Sequence, residues 1–209
     1  MSTSYTQVPP DSTGDKLHMI ERVKGADTVL SQVVSLEHAP TYLAWANDVA
    51  PAASKHMITL FNASGSGVVV EVYDLQAYLL QIAAVTGVTL RWDILKCSAS
   101  SAGTTITPEQ FDSAAAALPA GVTVRTNGTV TAGNRLGGRI VSGEELTTAL
   151  TNAPGANGID LLPMLKNQKA KPIVLREGQG ITVQNVTSST VGTFGLSVTF
   201  GVTATYTAD

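Results

Sequence analysis

The clearest pattern in this sequence is a strict alternation of apolar with small or polar residues from Thr193 to Thr207. The apolar positions are all even-numbered: Phe194, Leu196, Val198, Phe200, Val202, Ala204 and Tyr206. Successive side chains of a β-strand point to opposite faces, so this period of two predicts one long strand with a single face on a core. Gly195 and Gly201 predict bends or bulges that let the strand curve.

A second alternating region follows residue 55. His56–Asn62 and Gly67–Leu80 are predicted strands, and the turn-forming residues 63–66 between them predict a hairpin. The apolar positions of the longer strand change from even to odd near Tyr73 and Asp74. One extra residue produces such a change of phase, so we predict a β-bulge there.

Further strands are predicted at Val88–Cys97, with Trp92 on its apolar face, and at Pro172–Arg176 and Gly180–Val186. Residues 98–170 differ in character. They contain two capping boxes, in which Thr or Ser precedes Gln or Glu by three positions, and these predict short helices over 108–118 and 143–151.

The first part of the chain is more polar. Residues 1–16 contain two prolines and several turn formers, which predicts an extended N-terminal arm. Leu17–Lys24 and Thr28–Leu36 are predicted to be short strands. Residues 37–55, rich in Ala and Pro, are interpreted as a surface loop, so that 17–55 forms a region of strands and loop.

Together these elements predict a mainly all-β fold. We expect a jelly-roll-like β-sandwich over residues 56–209, interrupted by an insertion at 98–170 that carries short helices. The extended arm and the region 17–55 precede this domain.

Charge and composition exclude some partners. Charged residues make up only 14% of the chain and the net charge is −3, without a run of Lys or Arg, so we expect no nucleic acid partner. The first residues lack the pattern of a signal peptide, and no apolar run reaches the ~18 residues of a membrane span, so we expect no membrane partner. Sparse charge fits a surface that contacts other protein, and equally a β protein with few charges.

Few residues in this sequence lie in patterns typical of catalysis or metal binding. Cys97, the single cysteine, lies on an apolar strand and is interpreted as a buried thiol, and the three histidines lack the spacing of common metal motifs. Asp74 and Asp93 lie on neighbouring predicted strands and could form the carboxylate pair of a glycosidase, although a bulge and a solvent-facing position explain them as well. We therefore expect no enzyme, and assign no catalytic, metal-binding or cofactor-binding residues.

Two groups of residues are candidate partner contacts: Tyr5, Val8, Pro9 and Pro10 of the arm, and Tyr42 and Trp45. A polar, proline-containing arm gains little from packing on its own chain, but it can add to a neighbour's sheet edge. Tyr42 and Trp45 in the predicted loop also leave open a carbohydrate-binding module.

Two segments carry a family resemblance. LFNASGSGVVVEVYDLQAYL (Leu60–Leu79) resembles the opening hairpin of small jelly-roll virion proteins of tailed bacteriophages, and KPIVLREGQGITVQNVTSSTVGTFGLSVTF (Lys171–Phe200) is similar to their closing strands. An arm with two prolines ahead of short strands also looks like these proteins.

The resemblance implies a head decoration (cement) protein, assembled in the cytoplasm of the bacterial host and located on the capsid surface of the virion. Such a protein binds the major capsid protein and self-associates, with a homotrimer expected because decoration proteins commonly occupy local threefold positions. A tail or baseplate component of the same fold is the near alternative.

Overall fold

The computed structural model describes residues 3–7, 16–24, 27–32, 40–79, 89–142, 159–163, 172–187 and 192–204. Its contacts divide the chain into two units, residues 1–38 and residues 39–209. This boundary differs from the predicted division at residue 56, because the segment before that residue supplies a strand to the second unit.

The first unit is a three-stranded antiparallel sheet in the order β1-β2-β3. Its strands are β1 (Thr3–Gln7), β2 (Lys16–Lys24) and β3 (Asp27–Gln32). The strand predicted at Leu17–Lys24 is therefore confirmed, and the one predicted at Thr28–Leu36 is confirmed as far as Gln32, since residues 33–36 lie outside the described residues. Residues 3–7 of the predicted arm pair with β2, with Thr3 opposite Ile20, and are part of this sheet.

The second unit contains twelve strands among its described residues. They are β4 (Thr41–Val49), β5 (His56–Asn62), β6 (Val68–Leu79), β7 (Thr89–Ser101), β8 (Thr104–Ile106), β9 (Glu109–Gln110), β10 (Val122–Thr126), β11 (Thr129–Ser142), β12 (Ile159–Asp160), β13 (Ile173–Leu175), β14 (Gln179–Asn185) and β15 (Phe194–Ala204). The first sheet has the order β11-β7-β14-β5-β10-β8. The second sheet has the order β12-β6-β15-β4-β9, with β13 also paired to β6.

The connectivity is that of a jelly roll, confirming the predicted fold class. Eight strands form four antiparallel pairs that are nested in sequence, so that the first strand pairs with the last and each later pair lies inside the one before. The pairs are β4 with β15, β5 with β14, β6 with β13, and β7 with β11. Two of these pairs lie in each sheet, so a long antiparallel ribbon is rolled into a two-layered sandwich.

The core lies between the two sheets. The even-numbered residues of β15 from Phe194 to Val202 are buried, as the alternation predicts. Trp92 on β7 of the first sheet meets Phe194 on β15 of the second, with ring centroids 4.8 Å apart and an interplanar angle of 74°. This edge-to-face contact joins the two layers, and it confirms the predicted position of Trp92 in the core.

Four local predictions need correction. The hairpin predicted for His56–Asn62 and Gly67–Leu80 is wrong, because β5 lies in the first sheet and β6 in the second, so the turn between them connects the two layers. The surface loop predicted over 37–55 is wrong for residues 41–49, which form β4. The helix predicted over 108–118 is absent, and the short strand β9 followed by turns occupies its place. The predicted insertion 98–170 also supplies strands to the first sheet, because β8, β10 and β11 all lie there. The helix predicted over 143–151 falls outside the described residues.

Candidate functional site

The outer face of the second sheet is the most distinctive surface of the described residues. Along the central strand β15, small residues point to this face, since the large apolar ones point to the core. Larger side chains from β4 and β6 lie on the same face, on either side of β15. We call this surface the aromatic face, and define it by Trp45, Tyr73, Asp74, Gln76 and Tyr78.

One end of the aromatic face is a pair of stacked rings. Trp45 pairs with Ser197 on one side of β15, and Tyr78 pairs with Gly195 on the other. Because Ser197 and Gly195 are small, the two large side chains meet above β15, with ring centroids 5.0 Å apart and an interplanar angle of 21°. Trp45 remains 41% exposed, which is unusual for so large an apolar side chain.

The other end of the face is built by the bulge in β6. Thr199 of β15 pairs with Asp74, whereas the next residue, Phe200, pairs with Val72, so Tyr73 is the extra residue. The predicted bulge is therefore confirmed. Tyr73 is 38% exposed and its ring lies over Gly201, where an added Cβ would come within 2.9 Å of the ring. A residue without a side chain is thus required at Gly201 for the ring to keep this position.

A row of hydrogen bonds runs along β6 from Tyr78 to Asp74, between the two ends. The Tyr78 hydroxyl donates to the side-chain oxygen of Gln76, and the Gln76 amide donates to Asp74. Asp74 also accepts the backbone N–H of Leu75 at 2.9 Å. These bonds hold the polar side chains in one orientation between the exposed rings.

Neighbouring polar groups extend the row at both ends. Tyr73 donates its hydroxyl to Glu71 at 3.3 Å, and Trp45 donates its indole N–H to Asn47. Partial burial, and to a lesser extent the charge of Glu71 and the hydrogen bond to it, raise the pKa of Tyr73 above its usual value of 10. Tyr73 is therefore a neutral hydrogen-bonding group at physiological pH.

The charged side chains on the described strands of the second sheet are all acidic. The described parts of its strands contain no Lys or Arg. Glu71 and Asp74 lie on the aromatic face, and register places Glu109 opposite Leu43 and Asp160 opposite Gln76. The outer face of the second sheet is consequently acidic.

The pairing of Asp74 with Asp93 considered for a glycosidase is ruled out by the fold. Asp74 faces outward from the second sheet, whereas Asp93 faces outward from the first, on the opposite side of the sandwich. Asp93 instead pairs with Arg135 at 3.1 Å and Arg91 at 3.3 Å. Both arginines balance the charge of this nearly buried carboxylate.

The two aromatic candidates of the predicted loop, Tyr42 and Trp45, differ in their exposure to solvent. Trp45 is exposed, but Tyr42 is only 1% exposed and stacks on Phe200 with ring centroids 5.5 Å apart. Its hydroxyl donates to the backbone oxygen of Ala116 at 2.6 Å. Tyr42 therefore belongs to the core and offers no platform for a sugar or another partner.

The arm candidates are placed only in part. Tyr5 lies on β1, which pairs with β2 through residues that include His18. Val8, Pro9 and Pro10 fall outside the described residues, so their proposed contacts stay a prediction.

Apart from the aromatic face, the described residues form a concave pocket beside β8 and β10. It has a volume of about 430 Å³ and is lined by Thr105, Ile106, Pro108, Glu109, Leu118 and neighbouring residues. Its size falls within the range of small-molecule pockets. Glu109 is the only charged residue in its lining, which gives no group for nucleophilic or acid–base chemistry beyond a single carboxylate.

Cys97 is buried, and burial raises its pKa to about 12. We expect the native thiol to react with a disulfide reagent at pH 8 at least about 100-fold more slowly than the unfolded chain, because little thiolate forms. Since the folded pKa exceeds the ordinary value, raising the pH above about 9 should favour the unfolded state. Absorbance-monitored labelling of native and denatured protein checks the rates, with Cys97→Ala as the blank. Equal rates in the two states would contradict this burial.

Two searches for further features concern only the described part of the chain. There, His, Cys, Asp and Glu side chains do not come together in groups of three or more that could hold a metal ion. No helix in that part is both long and apolar enough to cross a membrane.

Comparison with known proteins gives no family for this chain. No protein-family model matches its sequence, and neither the curated proteins nor the solved structures include a significant match.

Proposed function

We propose that this chain is a non-enzymatic structural protein of a bacteriophage virion, a capsid decoration (cement) protein that binds and stabilises the lattice of the major capsid protein. The observation that carries the proposal is the placement of the two segments with the family resemblance. Leu60–Leu79 covers the end of β5, the turn that leads from the first sheet to the second, and β6. Lys171–Phe200 covers β13, β14 and most of β15.

The turn between β5 and β6 is held to the closing strands by side chains as well as by the sheets. Glu177, in the turn before β14, accepts the backbone N–H groups of Gly65 and Gly67 at 2.9 and 2.8 Å. The resembling segments therefore form one structural unit in the roll. This supports the proposal, since the two segments that carry the resemblance also contact each other in the fold.

The first unit offers a means of attachment. Within the described residues, β1 and β3 each pair on one side only, to β2. Unpaired strand edges accept a strand from a partner, and such pairing contributes backbone hydrogen bonds to the interface. In this proposal the N-terminal unit, with Tyr5, Val8, Pro9 and Pro10, contacts the capsid, and the protein associates as a homotrimer.

Co-sedimentation with bare phage capsids tests the proposal. We expect saturable binding of the full chain and a higher melting temperature of the decorated capsid, because a ligand specific to the assembled state stabilises it. Removing residues 1–38 should weaken binding while the second unit keeps its own thermal transition. Binding to isolated tails in place of heads would favour the tail or baseplate alternative, and binding to neither would overturn the virion proposal.

A further inference from the structure

From the geometry of the aromatic face we infer that it binds a neutral oligosaccharide, with sugar rings stacked on Trp45 and Tyr73 and hydroxyl groups hydrogen-bonded by the polar row between them. This inference goes beyond the virion proposal and does not depend on it. It rests on the spacing of the rings, the polar groups between them, and the charge of the face.

The two exposed rings define an elongated site. Trp45 is level with Ser197 and Tyr73 lies over Gly201, four residues further along β15. At ~3.3 Å per residue, the two rings are roughly 13 Å apart along the strand. Platforms at such a distance suit a chain of several linked sugar rings, since each pyranose has an apolar C–H face that packs against an aromatic ring.

The groups between the rings suit hydroxyl groups. Asp74 accepts hydrogen bonds from Gln76 and from the N–H of Leu75. A carboxylate has about four lone-pair positions, so Asp74 retains acceptor capacity for ligand hydroxyls. Thr199, half-exposed beside Asp74, can accept or donate a further bond, and the phenol oxygens of both tyrosines, whose hydrogens are already donated to Glu71 and Gln76, can each accept one.

The charge and layout of the face exclude other ligand classes. An anionic ligand such as a nucleic acid or a sulfated glycan would meet Glu71 and Asp74 without a basic residue on the described strands of this sheet. A quaternary ammonium ion is held by rings that converge around one point, whereas these rings lie far apart in a line. A neutral polyhydroxylated chain satisfies both constraints.

The site is also largely pre-formed. Tyr78 backs Trp45 by stacking, and the hydrogen bonds to Asn47 and Glu71 orient the two exposed rings. Side chains that are already ordered lose little entropy when a ligand binds, which favours a measurable affinity on an open surface.

The experiment is a glycan array followed by titration calorimetry on the full chain. The probes are neutral oligosaccharides of glucose, N-acetylglucosamine and bacterial O-antigen type, with heparin as an anionic comparison. We expect binding of at least one neutral series that strengthens with chain length, and no binding of heparin.

Variants then locate the site. Trp45→Ala and Tyr73→Ala should each weaken binding by about tenfold or more, as truncation of a central aromatic contact does. Phe111→Ala is the matched control, because Phe111 is 64% exposed and lies outside the aromatic face. Circular dichroism and thermal melts verify that each variant is folded.

Several outcomes would overturn the inference: no neutral glycan bound, equal binding by Trp45→Ala and the parent chain, or equal losses for Phe111→Ala and Trp45→Ala. A change of Trp45→Ala from oligomer to monomer in light scattering, without glycan binding by the parent chain, would identify the face as a subunit contact instead.

Discussion

Replacing Trp92 with alanine is expected to lower the free energy of unfolding by about 3–5 kcal/mol, the range for truncating a large aromatic side chain in a core. Trp92 is fully buried, and its edge-to-face contact with Phe194 joins the two sheets. The change would leave a cavity between the layers. The neighbouring strands cannot move to fill it, because backbone hydrogen bonds hold them in their sheets. Since domains are stable by only ~5–15 kcal/mol, the loss is a large part of the total.

Denaturant unfolding followed by circular dichroism measures this effect, and Trp92→Phe is its matched control. Among the described residues, the indole N–H of Trp92 has no hydrogen-bond partner, so phenylalanine removes an unsatisfied donor while keeping most of the ring. We expect Trp92→Phe to cost less than about 1.5 kcal/mol, as a swap that conserves most of the volume does. Equal losses for the two variants would show that ring packing is not what Trp92 contributes.

Replacing Asn62 with aspartate is expected to destabilise the fold by about 3–5 kcal/mol at pH 7, comparable to leaving a buried charge without its partner. Asn62 is fully buried at the end of β5. Its amide donates to the backbone oxygens of Val68 at 2.8 Å and Leu175 at 3.1 Å. A carboxylate cannot donate, so it would face two carbonyl oxygens without a compensating hydrogen bond.

The difference in stability between the Asn62→Asp variant and the parent chain should depend on pH. Burial beside two acceptors disfavours the charged form, so the folded pKa of the new carboxyl lies above its unfolded value. Protonation restores a donor, and stability relative to the parent should therefore recover as the pH is lowered from 7 to 4.5. Asn62→Ala, with an expected cost of about 2–3 kcal/mol for two orphaned carbonyls, should lose the same amount at both pH values. A flat difference for Asn62→Asp would contradict this account.

Strand positions were predictable where the sequence signal comes from neighbouring residues. The alternation along β15 and the change of phase at Tyr73 are properties of neighbouring residues, and each has one structural meaning. β4 was missed for a related reason: its buried positions include Ala44 and Ala46, which have weak strand propensity, so the alternation with exposed residues gave little contrast.

The predicted helix over 108–118 shows how local signals fail. Thr107 and Gln110 have the spacing of a capping box, but Gln110 pairs with Tyr42 in the sheet and its side chain donates to the backbone oxygen of Ala115. Asp112 accepts the N–H of Ala114 and forms a turn. Pairing with the edge of the second sheet competes with the helix, and an isolated helix of this length is only marginally stable in water.

The aromatic face was visible in the sequence only through Trp45. Tyr78 lies in a distant segment, and the two rings meet because β15 from the other end of the chain passes between their strands. Contacts of this kind depend on strand order, which no single segment encodes.

The placement of β15 between β4 and β6 also governs when the protein can fold. Its partners are separated from it by more than a hundred residues in sequence, and such non-local pairing slows folding because a long loop must close before contacts form. During synthesis, β4 and β6 leave the ribosome long before β15, with their inner faces uncovered. The roll therefore closes only after this segment has been translated, and until then the uncovered apolar faces and unpaired strand edges favour aggregation.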